Sequence, residues 1–365
     1  MARKPRSRPP GGRTGASPVR RLLVMLISAA MTFTLVLLLA GVWALWMFRG
    51  PGPEHGEDGT TVMLRRGAGL PEIASTLEGA GVISSAPIFL AAAQITGAAR
   101  ELKAGEYEFG NRASMARVLA DVRAGRVVRH FVTVPEGMTS DMVVEILAEN
   151  PLLTGVAPSP PEGAVLPETY QIERGEDRAA VLQRMMEAHD EVLAMLWARR
   201  QPGLPIETPQ EAVILASIVE KETGVASERP QVASVFVNRL RRGMRLESDP
   251  TIIYGLTKGR PLGRGIRLSE LSRETPYNTY VIDGLPPTPI ANPGRAALAA
   301  VLDPPETDYL FFVADGSGGH AFAATYDQHR RNVERWRQIE RGRAQGGAAP
   351  APAEPPVDAS TPAQP

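Results

Sequence analysis

The sequence predicts an α+β ectodomain carried on a single N-terminal transmembrane helix. Three observations carry that expectation. They are an uncharged apolar run over 22–48, two strand–glycine turn–helix patterns beginning at Val62 and Val132, and a strongly capped apolar helix opening at Pro209.

The run from Leu22 to Phe48 contains no charged residue and is rich in Leu, Val, Ala and Met. It exceeds the roughly 20 apolar residues needed to cross a bilayer. Trp43, Trp46 and Phe48 stand at its far end, where aromatic rings favour the lipid–water interface. Arg3, Lys4, Arg6, Arg8, Arg13, Arg20 and Arg21 precede its near end with no acidic residue among them. The positive-inside rule then places 1–21 in the cytoplasm as a basic tail and everything after Arg49 outside. A cleaved secretory signal is the competing reading. Its apolar core is usually only about 7–15 residues and is followed promptly by a small-x-small site, which this run lacks. An uncleaved, single-pass anchor is therefore expected.

Residues 49–59, including the stretch GPGPEHGEDG, read as a flexible linker that lets the ectodomain stand off the membrane. Residues 342–365 are rich in Ala, Pro and Gly and read as a disordered tail. Between them the chain divides into a module at 60–130 and a larger domain at 131–341.

Composition narrows the function classes. The 365 residues are 43% hydrophobic, enough for a sizeable core, and carry 40 basic and 40 acidic side chains. Setting aside the basic tail leaves a mildly acidic remainder with no clustered cations to hold a phosphate backbone, which excludes nucleic acid as a partner. The absence of cysteine excludes disulfides, thiolate metal sites and a cysteine nucleophile. No Gly-x-Ser-x-Gly elbow, phosphate-binding loop or His-Glu-x-x-His helix occurs, and the five histidines are scattered. Carboxylates remain the catalytic candidates, with neither metal nor organic cofactor expected.

Val62 to Gly67 leads to Ile73 and Leu77, and Val132 to Gly137 leads to Val143 and Leu147. Each segment predicts a strand, a glycine turn and an amphipathic helix. With the apolar run Ala86–Gln94 and a turn at Lys103–Tyr107, the first suggests a small α+β module. It suits either binding of chain-like glycans or simple spacing.

The segment ETPQEAVILASIVEKETG, 207–224, predicts a helix capped by Thr208, with Pro209 at its first position, Glu211 completing a capping box and Gly224 as the stop. Ala212 to Val219 is apolar or small on every face, which predicts burial all round. A second helix, Pro230 to about Arg242 with Gly243 as its stop, is expected to pack against it. Glu220 follows directly on the apolar stretch, near the negative end of the helix dipole. Burial and dipole would both raise its pKa, as a general acid requires. In the alternative, Glu220, Lys221 and Glu222 form a solvated last turn. Glu222 lies about 200° round the axis from Glu220, so one cleft is not expected to use both.

From Arg245 to Gly294 the chain is rich in turn residues and hydroxyls, a composition typical of long ordered loops beside a binding site. Asp249, Thr251, Tyr254, Tyr277, Asn278 and Thr279 are the candidates for contacting sugar hydroxyls or pyranose faces. Rigid loop scaffolding is the competing role.

The motifs Leu215-Ala-Ser-Ile-Val-Glu220-Lys-Glu-Thr223, Ala233–Arg239, Leu246-Glu-Ser-Asp-Pro-Thr251, the Thr275–Gly294 loops and Asp315–Phe322 after a Tyr309–Val313 strand resemble the YceG (MltG) family of endolytic murein transglycosylases. The resemblance runs in order from about Val62 to Trp336. It departs from the family pattern at Ala164, Val165, Glu168 and Thr288. It implies a LysM-like subdomain at 60–130, a YceG-type catalytic domain at 131–341, and Glu220 as the essential catalytic residue. The implied action is lytic cleavage of the MurNAc–GlcNAc bond of nascent peptidoglycan glycan strands, leaving 1,6-anhydro ends and terminating elongation beside cell-wall synthases. Two other roles fit the same features: a hydrolytic muramidase, and a non-catalytic peptidoglycan-binding scaffold.

Overall fold

The computed structural model describes residues 18–54 and 59–345. Most of the basic tail, the middle of the linker and most of the C-terminal tail lie outside the described residues. The chain divides into two compact units between Val128 and Arg129. The boundary thus falls just ahead of the expected one, because strand β3 (His130–Thr133) already belongs to the second unit.

The first unit begins with α1 (Pro18–Arg49), which contains the expected apolar run and exposes large hydrophobic side chains from Val19 to Trp46. Its last turn differs: Met47 and Phe48 pack against the core formed by Leu77, Phe89, Tyr107 and Val118. The chain stays docked beyond it, for the Gly50 amide donates to the Trp46 carbonyl at 2.7 Å and the Gly52 amide to that of Arg112 at 3.0 Å. The expectation of a slack linker over 49–59 is therefore corrected at its start. The apolar end of the helix continues into the module's core, where burying Met47 and Phe48 removes their surface from water.

Strand β1 (Thr60–Leu64) leads through Gly67, at φ 80°, into α2 (Leu70–Gly79), whose Ile73 and Leu77 are buried. Helix α3 (Ala86–Ile95) follows. Strand β2 (Gly105–Phe109) then pairs antiparallel with β1, setting Val62 opposite Tyr107, and α4 (Met115–Ala124) closes the layer. The turn expected at Lys103–Tyr107 is the entry to β2, tied by the Tyr107 hydroxyl donating to the Lys103 carbonyl at 2.8 Å.

The second unit repeats the opening pattern. Strand β3 runs through Gly137, at φ 75°, into α5 (Ser140–Glu149), with Val143 and Leu147 buried. Strand β4 (Thr169–Ile172) pairs antiparallel with β3, and Val132 faces Tyr170. Helices α6 (Arg178–Ala198), α7 (Pro209–Glu222) and α8 (Arg229–Arg241) come next. Leu215, Ala216 and Val219 of α7 and Val232 and Phe236 of α8 lie in the same core cluster.

Every residue of α7 from Ala212 to Glu220 is buried. The Thr208 hydroxyl accepts the Glu211 amide at 3.2 Å, but the Glu211 carboxylate accepts the amide of Glu207 at 2.6 Å, so the reciprocal arm of the expected box lands one residue early. Gly224 is not the stop. Thr223 turns extended at φ −139° and ψ 129°, and its hydroxyl accepts the Val225 amide, so no left-handed residue is required. Helix α8 does end as expected, with Gly243 at φ 65°.

The expected loop at 245–294 contains a helix, α9 (Asp249–Thr257), and one short turn, α10 (Leu268–Leu271). Ser248-Asp-Pro is itself a helix-opening signature, so Asp249, Thr251 and Tyr254 sit on a helix rather than on a loop. Helix α11 (Arg295–Leu302) adds Leu298 and Val301 to the core. The hairpin β5 (Phe311–Ala314) and β6 (His320–Ala323) pairs Phe312 with Phe322. Helix α12 (Tyr326–Gln345) lays Val333, Trp336 and Ile339 on Val313. It runs past residue 341, where the domain was expected to end, because its backbone bonds continue beyond that docked row.

Candidate active site

Glu220 occupies the last turn of α7 but is not solvated, since its side chain is only 3% exposed. Three segments converge on it. From α8, Arg229 Nη2 donates to Glu220 Oε1 at 3.0 Å. From the loop before α11, the Gly294 amide donates to Glu220 Oε2 at 2.9 Å. From the turn between β3 and α5, Glu136 Oε2 accepts the same Arg229 Nη2 at 2.7 Å. Lys221, next along α7, donates to the Gly137 carbonyl at 3.3 Å.

Long-range hydrogen bonds hold these segments together. Asn292 is fully buried and stitches two loops to the helix layer: its amide and its Nδ2 both donate to the Met138 carbonyl, and its Oδ1 accepts the Val165 amide at 3.0 Å. Gly294 leaves room for Glu136, since a Cβ there would lie 2.0 Å from Glu136 Oε1 and would displace that carboxylate. The result is a carboxyl held by two donors in a nearly dry setting. Burial pushes the Glu220 pKa up, against the pull of the Gly294 amide and the Arg229 charge, while the negative charge of Glu136 adds to the rise.

Glu222 points elsewhere, as its place on the helix requires. Its carboxylate accepts the Ser248 hydroxyl, and burial pushes its pKa up to about 7. Asp249 stands beside it and accepts the Tyr280 hydroxyl at 2.7 Å.

The remaining candidates divide. Thr251, Asn278 and Thr279 are fully buried and bonded within the protein. Thr251 and Thr279 share a hydroxyl contact of 2.9 Å, and Asn278 Nδ2 reaches the carbonyls of Glu270, Leu271 and Arg273. They hold loops together, which is the scaffolding role. Tyr254 and Tyr277 form a tilted ring pair with centroids 5.0 Å apart, and the Lys258 ammonium lies over both rings. Tyr254 donates to Glu162 Oε2 at 3.1 Å, and Glu162 Oε1 accepts the Ser140 amide. Burial raises the pKa of Glu162 as well. Tyr277 is half-buried, with its hydroxyl 2.8 Å from that of Thr288, so one of the departures from the family pattern orients an aromatic ring.

Sequence reasoning passed over Glu136, Arg229, Gly294 and Glu162. Glu136 sits in the Val-Pro-Glu-Gly segment that stood out only for its strand and turn. Its reach to Arg229, 93 residues away in the chain, leaves no local trace.

The YceG-like family model matches residues 62–335, from β1 into α12. The chain belongs to the YceG-like family. Among relatives, a protein named endolytic murein transglycosylase from Streptococcus pneumoniae is 28% identical over 323 residues, covering 75% of this chain and 57% of that protein. Another of that name from Bacillus subtilis is 38% identical over 122 residues, 33% of each chain. This YceG-like chain thus spans little more than half the length of the streptococcal relative. A solved YceG-like protein from Listeria monocytogenes, 27% identical, matches 76% of this chain and 99% of its own with a TM-score of 0.46.

Proposed function

We propose that this chain is a membrane-anchored endolytic lytic transglycosylase of peptidoglycan. The observation that carries the reading is Glu220: a buried carboxyl with a raised pKa, lying on the motif through which the chain resembles the family. The names of the streptococcal and bacillar relatives support the same activity.

In this mechanism protonated Glu220 gives its proton to the oxygen linking MurNAc to GlcNAc, and the bond from that oxygen to the MurNAc anomeric carbon breaks. The C6 hydroxyl oxygen of the same MurNAc bonds to that carbon, and its proton passes to the Glu220 carboxylate. The cycle ends with Glu220 protonated and a 1,6-anhydro end formed. Ordinary glycosidases place two carboxylates at set separations because one attacks the sugar or activates water. Here the nucleophile belongs to the substrate and carries the high effective concentration of an intramolecular group. Tyr277, Asp249 and the Tyr254 ring pair are proposed to contact the strand. The 60–130 module, read as LysM-like, is proposed to position long strands. The anchor would put the chain beyond Arg49 outside a bacterial plasma membrane, next to the cell-wall synthases that supply nascent strands.

The test is to digest purified glycan strands with the full-length chain and weigh the new ends. Anhydro ends are expected. Reducing ends would make it a hydrolytic muramidase, and binding without turnover would make it a scaffold.

A further inference from the structure

The site holds a second carboxylate that the cycle above does not use. Glu136 Oε2 takes the same Arg229 Nη2 that donates to Glu220 Oε1, at 2.7 and 3.0 Å. Its other oxygen lies against the Cα of Gly294, whose amide holds Glu220 Oε2. Glu136 therefore touches both groups that grip Glu220. The two carboxylates differ in one respect that matters: the side chain of Glu136 is 40% exposed and that of Glu220 is 3% exposed.

Glu220 faces opposing demands. As an acid it must carry a proton and turn one oxygen to the substrate, whereas two donors occupy both oxygens and favour the ionised form. We propose that Glu136 is the positioning residue that resolves this, sharing Arg229 with Glu220 and keeping the guanidinium when Glu220 carries its proton. The proposal rests on the acid–base reading of Glu220. One guanidinium offers one positive charge to two carboxylates, so one of them is left uncompensated. The proton settles on the carboxyl for which charge is more costly, and that is the buried one. Glu136, whose side chain is 40% exposed, remains as the partner of Arg229. The other groups around Glu220 do not supply this. Lys221 feels the Glu220 charge but donates its hydrogen bond to the Gly137 carbonyl and so does not bridge the two carboxylates as Arg229 does, and Gly294 contributes a dipole without charge.

A purely structural pair, pinning the β3–α5 turn to α8, would look the same in a static picture but would not move a pH profile. The experiment measures kcat against pH for the full-length chain in detergent, on purified uncrosslinked glycan strands, with thermal unfolding of each variant as a check on folding. The upper limb of that profile marks loss of the acid's proton, so activity falls as pH rises through it. Glu136→Gln removes the like charge and leaves Arg229 wholly to Glu220, so the limb is expected to move to lower pH. Glu136→Asp, which keeps the charge, is expected to return it towards the wild-type position. Arg229→Gln is expected to move it to higher pH. Should Arg229→Gln not fold, the two Glu136 variants decide alone. A uniform loss at every pH with the limb in place, or shifts in the same direction for Glu136→Gln and Arg229→Gln, would overturn the proposal. Full activity in Glu220→Gln would remove the underlying reading too. An inactive Glu220→Gln beside a wild-type limb in Glu136→Gln would remove only the role of Glu136.

Discussion

The hydroxyl of Ser217 accepts the amide N–H of Ile290 at 3.0 Å, and both residues are fully buried. Ser217 lies one turn before Glu220 on α7, and Ile290 one short step before Gly294. The bond therefore sets the spacing between the acid and the backbone amide that holds it. The same hydroxyl donates to the Ile214 carbonyl at 2.7 Å, so both its capacities are used.

Ser217→Ala leaves the Ile290 amide buried without a partner. A loss of about 1–3 kcal/mol is expected, since an orphaned buried donor carries its full desolvation cost. Because the Gly294 amide is positioned through this contact, kcat is expected to fall while KM changes little. Denaturant unfolding and steady-state kinetics on the same preparation check both. A KM increase at constant kcat would show that the loop serves binding and does not orient Glu220.

What the sequence disclosed follows from how local each signal is. The cap at Thr208, the burial of 212–219 and the stop at Gly243 are decided within a turn or two of chain, and periodicity and propensity express them directly. The left-handed glycines after β1 and β3 belong to the same class. Glu220 was legible because it abuts an apolar run, while Arg229 and Gly294 bond to it from 9 and 74 residues away and Glu136 bonds to Arg229 across 93. Tertiary convergence of that kind has no period. The loop at 245–294 misled in a different way, since its turn residues are helix-openers at Ser248-Asp-Pro and scaffold donors at Asn278.

Asn278 and Tyr277 are neighbours with opposite expected phenotypes. Asn278 is buried and donates to three carbonyls, so Asn278→Ala is expected to cost about 1–3 kcal/mol and to lower activity only through stability. Tyr277 presents a half-buried ring beside Tyr254, a suitable apolar face for a pyranose. Tyr277→Ala is expected to raise KM for glycan strands several-fold, a change of about 1 kcal/mol. Unchanged KM in Tyr277→Ala would move the strand-binding surface away from this ring pair.

The proposed anchor predicts a topology. A reporter that is active only outside the cytoplasm, fused in the 55–59 region, is expected to report, because the charges flanking the apolar run favour a cytoplasmic N-terminus. Activity of a cytoplasm-dependent reporter at that point would put the whole chain on the wrong side for peptidoglycan.

Glu222 gives the sharpest pH prediction. Burial raises its pKa from the usual 4.5 to about 7, with the nearby Asp249 charge adding to the rise, and with the Ser248 hydroxyl and Arg239 pulling it down. The folded chain therefore binds a proton in the window between 4.5 and 7 that the unfolded chain has released. Stability from this group is complete below about 4.5 and is lost as pH rises through 7. Glu222→Gln is uncharged throughout and can still accept the Ser248 hydroxyl. Relative to wild type it is expected to be equal at pH 4 and more stable at pH 8, by about 3 kcal/mol. The difference is taken between two proteins that share every other titrating group, which isolates this one. Because Glu222 faces Ser248 and Asp249 while Glu220 faces Arg229 and Gly294, cleavage by Glu222→Gln is expected to stay near the wild-type rate. Unfolding midpoints measured from pH 4 to pH 8, together with one rate at pH 7, test both halves. A stability difference independent of pH would place Glu222 in water, and a large loss of rate would make it part of the catalytic site.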